Sequence, residues 1–183
     1  MGTVGVLALQ GGFALHARAL AALGHAVVEV RQASQLSGLD GLVLPGGESS
    51  AQLRLITREG LRPALEAFAA SGRPMLATCA GLILSAKIVV GPEQVSLGLL
   101  DVKVARNAWG RQLDSFESTA DGAGLPLVFI RAPRIVEHGP DVEVLATLDG
   151  EPVLVRQRNV TGATFHPELT SSLQVHRQVF GGP

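Results

Sequence analysis

Pro74-Met75-Leu76-Ala77-Thr78-Cys79-Ala80-Gly81 is the stretch on which the fold turns. Residues 74–78 read as a short apolar strand that runs straight into Cys79, and residues 82–88 read as a helix. A strand that feeds a helix through one nucleophilic residue is a nucleophile elbow, written G-x-nucleophile-x-G. Small residues flank it because the turn is tight and neighbouring strands press close. Gly81 fills the trailing position, while Ala77 stands at the leading one in place of glycine. A helix N-terminus beside the sulfur carries partial positive charge, which favours thiolate over thiol. Taken alone, Cys79 reads equally as a buried structural cysteine, since free cysteine packs like a small hydrophobe.

Upstream, residues 4–9 read as a fully buried strand that stops at Gly11-Gly12. Residues 14–23 have helical spacing, with Leu15, Ala19, Leu20 and Leu23 on one side and Gly24 as the stop. Residues 26–30 and 39–44 are further strands, the second ending abruptly in Pro45-Gly46-Gly47. Ser49 or Ser50 is placed to cap the next helix, which Gly60 ends, and residues 63–70 form another. The order β-α-β-β-α-β-α is that of a doubly wound α/β sheet. Downstream the character changes. Segments 98–106, 112–119, 126–130, 142–148 and 152–156 are short and strand-like, separated by Gly, Pro and Asp. Residues 160–165 form another strand, and a helix over 171–180 follows. The expected fold is one α/β domain spanning 1–183, a mostly parallel sheet between layers of helices, with added antiparallel strands.

Composition agrees with such a core. Of 183 residues, 46% are hydrophobic, 17% charged and only 4% aromatic, a mix suited to helices packed on a parallel sheet. Net charge is −1, from 15 basic and 16 acidic residues with no basic run, which argues against a nucleic-acid surface. A single cysteine forms no internal disulfide, so a reducing cytoplasm is the expected home. The apolar start has no preceding positive charge and breaks at Gln10-Gly11-Gly12, unlike a signal peptide. The apolar stretch 81–90 is too short to cross a membrane and is interrupted by Lys87.

A base for Cys79 stands in His166-Pro167-Glu168, just past strand 160–165. Pro167 biases His166 towards an extended conformation, and in an extended chain residues two apart point to one side. Glu168 then reaches one ring nitrogen of His166, leaving the other for Cys79, and the carboxylate fixes the tautomer. The tripeptide by itself also fits a plain polar turn. His16, His25, His138 and His176 have no comparable setting, and none pairs with a second ligand at metal spacing, so no metal is expected. Leu44-Pro45-Gly46-Gly47-Glu48-Ser49 lies at what should be the carboxyl end of a strand, where ligands bind in open α/β sheets. Its glycines allow backbone N–H groups to approach a substrate and hold an oxyanion, or else it is an ordinary strand-to-helix turn. No Gly-Lys-Ser/Thr follows, which excludes a Walker loop.

With these residues in view the chain resembles the class I, triad-type glutamine amidotransferases. Within them it is most similar to the glutaminase subunits of pyridoxal 5′-phosphate synthases. The resemblance spans nearly the whole chain. It rests on Gly5-Val6-Leu7-Ala8-Leu9-Gln10-Gly11, Leu44-Pro45-Gly46-Gly47-Glu48-Ser49-Ser50, Thr78-Cys79-Ala80-Gly81-Leu82-Ile83-Leu84 and Phe165-His166-Pro167-Glu168-Leu169-Thr170. The narrower likeness is carried by Arg106-Asn107-Ala108-Trp109-Gly110-Arg111-Gln112, Asp114-Ser115-Phe116-Glu117 and Phe129-Ile130-Arg131-Ala132-Pro133. Ala77 departs from the family's glycine, and Leu15 stands where the family has Glu.

The resemblance implies a flavodoxin-like core and a triad of Cys79, His166 and Glu168. It implies an oxyanion hole at Gly46 and Gly47, and glutamine held by Gly47, Glu48, Ser49, Arg106, Ile130 and Arg131. Arg106 suits the substrate carboxylate, because guanidinium and carboxylate match in a bidentate fork. Gln10 matches a family residue at the interface with the synthase. The implied partner is PdxS, a (β/α)₈-barrel subunit that takes up the ammonia in a hetero-oligomeric complex, with no cofactor on this chain. Rival readings are a glutaminase of another pathway, a non-enzymatic thiol sensor on the same fold, and a serine hydrolase using Ser49 or Ser50. His166-x-Glu168 opposes the sensor, which needs no oriented base, and neither serine sits in an elbow motif.

Overall fold

The computed structural model describes residues 1–106, 115–122 and 124–182. Its first half alternates strands and helices: β1 (Thr3–Leu7), α1 (Phe13–Ala22), β2 (Ala26–Val30), β3 (Gly41–Leu44), α2 (Ser49–Arg58), α3 (Arg62–Ala70), β4 (Met75–Thr78) and α4 (Ala80–Ser85). Then come β5 (Ala86–Val90), β6 (Leu100–Ala105), β7 (Ser115–Thr119), β8 (Pro126–Ile130), β9 (Arg134–His138), β10 (Glu143–Leu148), β11 (Glu151–Gln157), β12 (Val160–Ala163) and α5 (Gln174–Phe180).

The central sheet runs β10-β11-β12-β4-β3-β1-β2. Pairings from β12 through β2 are parallel, and β11 and β10 add on antiparallel. The parallel part has the flavodoxin-like strand order, with the chain switching direction at β1 and β3. Ligands in such sheets bind beyond the carboxyl ends of the strands at that switch. Beyond the ends of β1, β3, β4 and β12, within three residues, the chain there carries Gln10, Gly46, Cys79 and His166 respectively.

Period-2 alternation divides the buried side chains between two cores. Leu7, Leu42, Leu44, Met75 and Ala77 meet Ile56 of α2 and Leu65 and Phe68 of α3 on one face. Val4, Val6, Val43, Leu76 and Ala163 meet Leu20 of α1 and Val175 of α5 on the other. Every residue of β3, β4 and β12 is buried, as a sheet covered on both faces requires. The remaining strands form a three-stranded sheet, β5-β6-β9, and a two-stranded one, β7-β8. No helix among the described residues is long and apolar enough to cross a membrane.

Several elements differ from expectation. The helix expected over 82–88 is α4, Ala80–Ser85, and the chain turns at Ala86 into β5. Ile88, Val89 and Val90 are β-branched and pair with β6, so ladder partners override a helical reading. β9 was not expected. Its two apolar residues, Ile135 and Val136, sit between charged ones, and a cross-strand ion pair of Lys103 with Glu137 supports it. Helix α2 is capped by the Glu48 carboxylate, not by Ser49 or Ser50: it accepts from Ser50 N at 3.0 Å and Ala51 N at 2.6 Å. The segment expected over 112–119 is β7 from Ser115, its first residues lying outside the described ones. The helix expected over 171–180 begins only at Gln174, and the strand expected over 160–165 ends at Ala163.

Candidate active site

Cys79 joins β4 to α4 with φ 48° and ψ −103°. A non-glycine residue at positive φ is held there by its surroundings, which is how an elbow presents its side chain. Its backbone N donates to Ala163 O of β12 at 2.9 Å, and its own carbonyl accepts from Ile83 N at 3.1 Å. Gly81 lies against β3: a Cβ there would fall 2.0 Å from Leu44 O. Ala77, the departure at the leading position, sits inside β4 opposite Leu44 and is fully buried.

β12 delivers His166, whose backbone N donates to Val128 O of β8 at 2.8 Å. The chain then turns into a short 3₁₀ segment, Pro167–Leu169, and brings Glu168 back under the ring. His166 Nδ1 lies 2.8 Å from Glu168 Oε1, the pairing expected from a spacing of two. Gly46 presses on the other side of the ring: a Cβ there would meet His166 Cε1 at 2.4 Å and Cys79 Cβ at 3.4 Å. Burial opposes a charge on His166, but hydrogen bonds to Cys79 and Glu168, and their charges, outweigh it and raise its pKa to about 10. For Glu168, burial pushes upward, yet His16 and the His166 hydrogen bond bring its pKa below the usual carboxylate value.

The Pro45-Gly46-Gly47 turn is tied down by its carbonyls. Gly12 N donates to Gly46 O at 3.0 Å, and Gln52 Nε2 donates to Pro45 O at 3.2 Å and to Gln10 O at 3.0 Å. Gln10 Oε1 accepts from Glu48 N at 2.9 Å. Among the described residues, the Gly46 and Gly47 N–H groups have no acceptor. Beyond the turn, Arg106 Nη2 lies 3.6 Å from Glu48 Oε1 and 3.4 Å from Ser50 Oγ. Ser49 Oγ donates to Gln94 Oε1 at 2.9 Å. Partial burial would raise the Glu48 pKa, but the Ser50 and Ala51 donors outweigh it, with Arg106 adding to them, and hold it low. Ile130 ends β8 with its carbonyl 4.0 Å from the Cys79 sulfur, and Arg131 follows with φ 43°. Of the motif that begins at Arg106, residues 107–112 lie outside the described residues, as does Asp114.

Cys79, His166, Glu168, Gly46 and Ile130 thus meet at one point. Glu48, Ser49 and Arg106 gather beside it, and Gln10 braces the turn from behind. Sequence reading missed three groups. Gln52, fully buried in α2, anchors the turn, and Gln94 reaches the same region from the β5–β6 loop. The third corrects an expectation: His16 and His176 are not without a setting. His16 Nε2 lies 3.2 Å from Glu168 Oε2, and His16 Nδ1 lies 2.9 Å from His176 Nε2, with both rings fully buried. A signal existed, because His16 falls on the stripe of α1 that also buries Ala19 and Leu20. A histidine on an apolar stripe needs a polar partner.

These two rings make stability depend on pH. Burial, with His16 adding to it, pushes the His176 pKa down to about 3 despite Glu168. Burial lowers that of His16 as well, against the pull of Glu168. Both are neutral in the fold, whereas in the unfolded chain they titrate near 6.5. Their contribution is complete above that value and is lost as pH falls towards the folded pKa. The slope is about 1.4 kcal/mol per pH unit for each histidine. Urea unfolding at pH 6, 5 and 4.5, below the range in which the raised pKa of His166 acts in the opposite sense, should show stability falling with acidity, and His176→Gln should flatten the slope. A pH-independent midpoint over this range would contradict the assignment.

A family profile described as "SNO glutamine amidotransferase family" matches residues 6–180. The chain is 52% identical over 178 residues to "Pyridoxal 5'-phosphate synthase subunit PdxT" of Geobacillus thermodenitrificans (strain NG80-2), covering 95% of this chain and 91% of that one. It is 50% identical over 188 residues to the protein of the same name from Deinococcus radiodurans, covering 98% and 96%. A solved structure described as "Crystal structure of glutamine amidotransferase" superposes with a TM-score of 0.90 at 46% identity, covering 96% of each chain. "Structure of PurLQS from Thermotoga maritima" shares the fold, with a TM-score of 0.72 at 16% identity and 97% and 96% coverage. The profile match over nearly the full length, together with relatives at half identity, places this chain in the SNO glutamine amidotransferase family.

Proposed function

We propose that this chain hydrolyses L-glutamine to L-glutamate and ammonia through Cys79, His166 and Glu168, and passes the ammonia to a pyridoxal 5′-phosphate synthase subunit. The observation that carries the reading is a cysteine at a left-handed elbow, facing a histidine held at 2.8 Å by a buried carboxylate. His166 takes the Cys79 proton and the thiolate attacks the side-chain amide carbon. N–H groups of Gly46 and Gly47 hold the oxyanion, donors that no described residue occupies. Imidazolium His166 protonates the leaving nitrogen, ammonia departs, and a glutamyl thioester remains. Water activated by His166 then releases glutamate and restores the thiol. Glu168 keeps His166 in the tautomer both transfers need.

Glutamine recognition falls to Gly47, Glu48, Ser49, Arg106, Ile130 and Arg131. Arg106 takes the α-carboxylate, and its nearness to Glu48 keeps the guanidinium aimed at the pocket before substrate arrives. Replacing Arg106 by alanine removes a charge-assisted fork worth about 1.5–3 kcal/mol. The KM for glutamine should rise by about 10- to 100-fold with a smaller change in kcat, measured by steady-state glutamate release. An unchanged KM would remove Arg106 from the binding set.

Ammonia is protonated and lost in open water, so its use demands a docked acceptor. The PdxT names of the relatives support a synthase partner, and the proposed one is the barrel subunit PdxS. Gln10 is the residue we assign to that contact, because it holds the Glu48 N–H and so links the outer surface to the turn. The chain acts as one domain over 1–183, in the cytoplasm, with no cofactor of its own. The test is glutamate release with and without added PdxS, for the native chain and Gln10→Ala. Stimulation that Gln10→Ala weakens supports the reading. Release that PdxS does not change sinks the partner assignment and leaves the glutaminase intact.

A further inference from the structure

The Glu168 carboxylate has two oxygens, and only one serves His166. Oε1 accepts a hydrogen bond from His166 Nδ1 at 2.8 Å. Oε2 is buried with no well-aligned donor, which is costly for a carboxylate oxygen away from water. The group beside it is His16 Nε2 at 3.2 Å, reached from α1. That same nitrogen lies 3.1 Å from Thr78 Oγ1, in the residue just before the nucleophile. His16 Nδ1 meets His176 Nε2 of α5 at 2.9 Å.

The carboxylate selects the tautomer. An unprotonated Nε2 would set its lone pair beside an anionic oxygen 3.2 Å away, with both side chains buried. With the proton on Nε2, the N–H lies between Thr78 Oγ1 and Glu168 Oε2, better aligned on the first and off-axis to the second. Nδ1 is then an acceptor, so His176 donates its Nε2 proton. The donors are then His176 to His16, His16 to Thr78, and His166 to Glu168, with His16 Nε2 beside Glu168 Oε2, across α5, α1, β4, the Pro167–Leu169 turn and the end of β12.

We propose that His16 is a positioning residue for this reaction: its ring, held by Thr78 and His176, sets Nε2 at 3.2 Å as the polar group beside Glu168 Oε2, so that Oε1 stays turned towards His166. The proposal rests on the Cys79–His166–Glu168 reading above. His16 is placed for this work by chain geometry. Helix α1 begins at Gly12, whose N–H grips Gly46 O at 3.0 Å, and one turn later it presents His16. One helix therefore braces both the glycine turn and the carboxylate. The titratable groups facing Glu168 are His166 on its own segment, His16 from α1, His176 from α5 behind His16, and Cys79 at the end of β4. β8 contributes only the uncharged Ile130 carbonyl near the sulfur. Without His16, Oε2 loses the polar group beside it, and the carboxylate turns away or takes up a proton. His166 then holds its charge less well, and Cys79 forms thiolate only at higher pH.

Cys79 is the single cysteine, so alkylation by iodoacetamide reads one thiol in the intact chain. The rate is followed against pH for the native protein, His16→Ala, His16→Gln and His16→Asn, beside kcat and KM for glutamate release. The Gln amide nitrogen reaches the place of Nε2, whereas the Asn amide reaches only that of Nδ1. In His16→Ala and His16→Asn the alkylation midpoint should move up by about one pH unit. In both, kcat should fall by about 10- to 100-fold at unchanged KM, as when an outer-shell partner is removed. His16→Gln should recover most of both. A purely structural role would lower Tm and leave the midpoint where it is, and that result overturns the proposal. If His16→Ala does not fold, the Gln and Asn variants decide: equal midpoints overturn it. Glutamate release that survives Cys79→Ala removes the triad reading itself. Loss there, with native behaviour in every His16 variant, removes only the role of His16.

Discussion

Cys79→Ala should lower glutamate release by a factor of about 10⁴ or more while leaving the fold in place. Cys79 is buried, and alanine keeps the Cβ that shapes the elbow, so the positive φ costs the same in both proteins. The backbone bonds that hold the turn, Cys79 N to Ala163 O and Ile83 N to Cys79 O, do not involve sulfur. What disappears is the atom that forms the thioester. The residue left behind still binds glutamine, so isothermal titration should show native affinity where turnover has gone. Cys79→Ser tests the same point more severely, since it restores shape and hydrogen bonding with a poorer nucleophile. Glutamate release within tenfold of native for Cys79→Ala would show that another group carries the chemistry.

The second large effect is on stability, from Gly81→Ala. Helix propensity alone would favour alanine within α4. Here the added Cβ falls 2.0 Å from Leu44 O and 2.8 Å from Leu44 C, both backbone atoms of β3. β3 lies between β1 and β4 and has no room to retreat. A loss of about 3 kcal/mol or more is expected, and Tm should drop by roughly 10 °C for a domain of this size. The displaced strand continues directly into Pro45, Gly46 and Gly47, so activity should fall even in the fraction that folds. Gly72→Ala is the control: its φ is +79° and nothing lies within 4 Å of a new Cβ, so only the backbone preference is lost, about 1 kcal/mol. Similar thermal shifts for the two variants would mean that close approach to β3 is not what holds residue 81 to glycine.

The Gly81 contact also explains how the elbow was legible in the chain. A short apolar strand, a nucleophile and a small residue two places on state a geometric demand within a few residues, and the fold meets it. The His166–Glu168 bond is of the same kind, set by a spacing of two and a proline between. The strands of the parallel core were readable as compact, mainly apolar runs, β3 most plainly because Pro45-Gly46-Gly47 closes it. Where the reading failed, the deciding contact was remote. Residues 86–90 became β5 because β6, more than ten residues later, supplies a ladder that no local preference announces. Glu48, read as a substrate contact, also caps α2, a role assigned in advance to serine.

By itself the sequence determined the class of fold, the elbow at Cys79, the base two residues from its carboxylate and the glycine turn at a strand end. Each follows from sterics, periodicity or spacing over a short span. Only tertiary structure decided what stands behind the carboxylate. His16 and His176 are 160 residues apart and meet because α1 and α5 pack on the same face of the sheet. No periodicity links them. A buried polar group declares its need for a partner along the chain, but which partner answers is chosen when the layers close and water leaves.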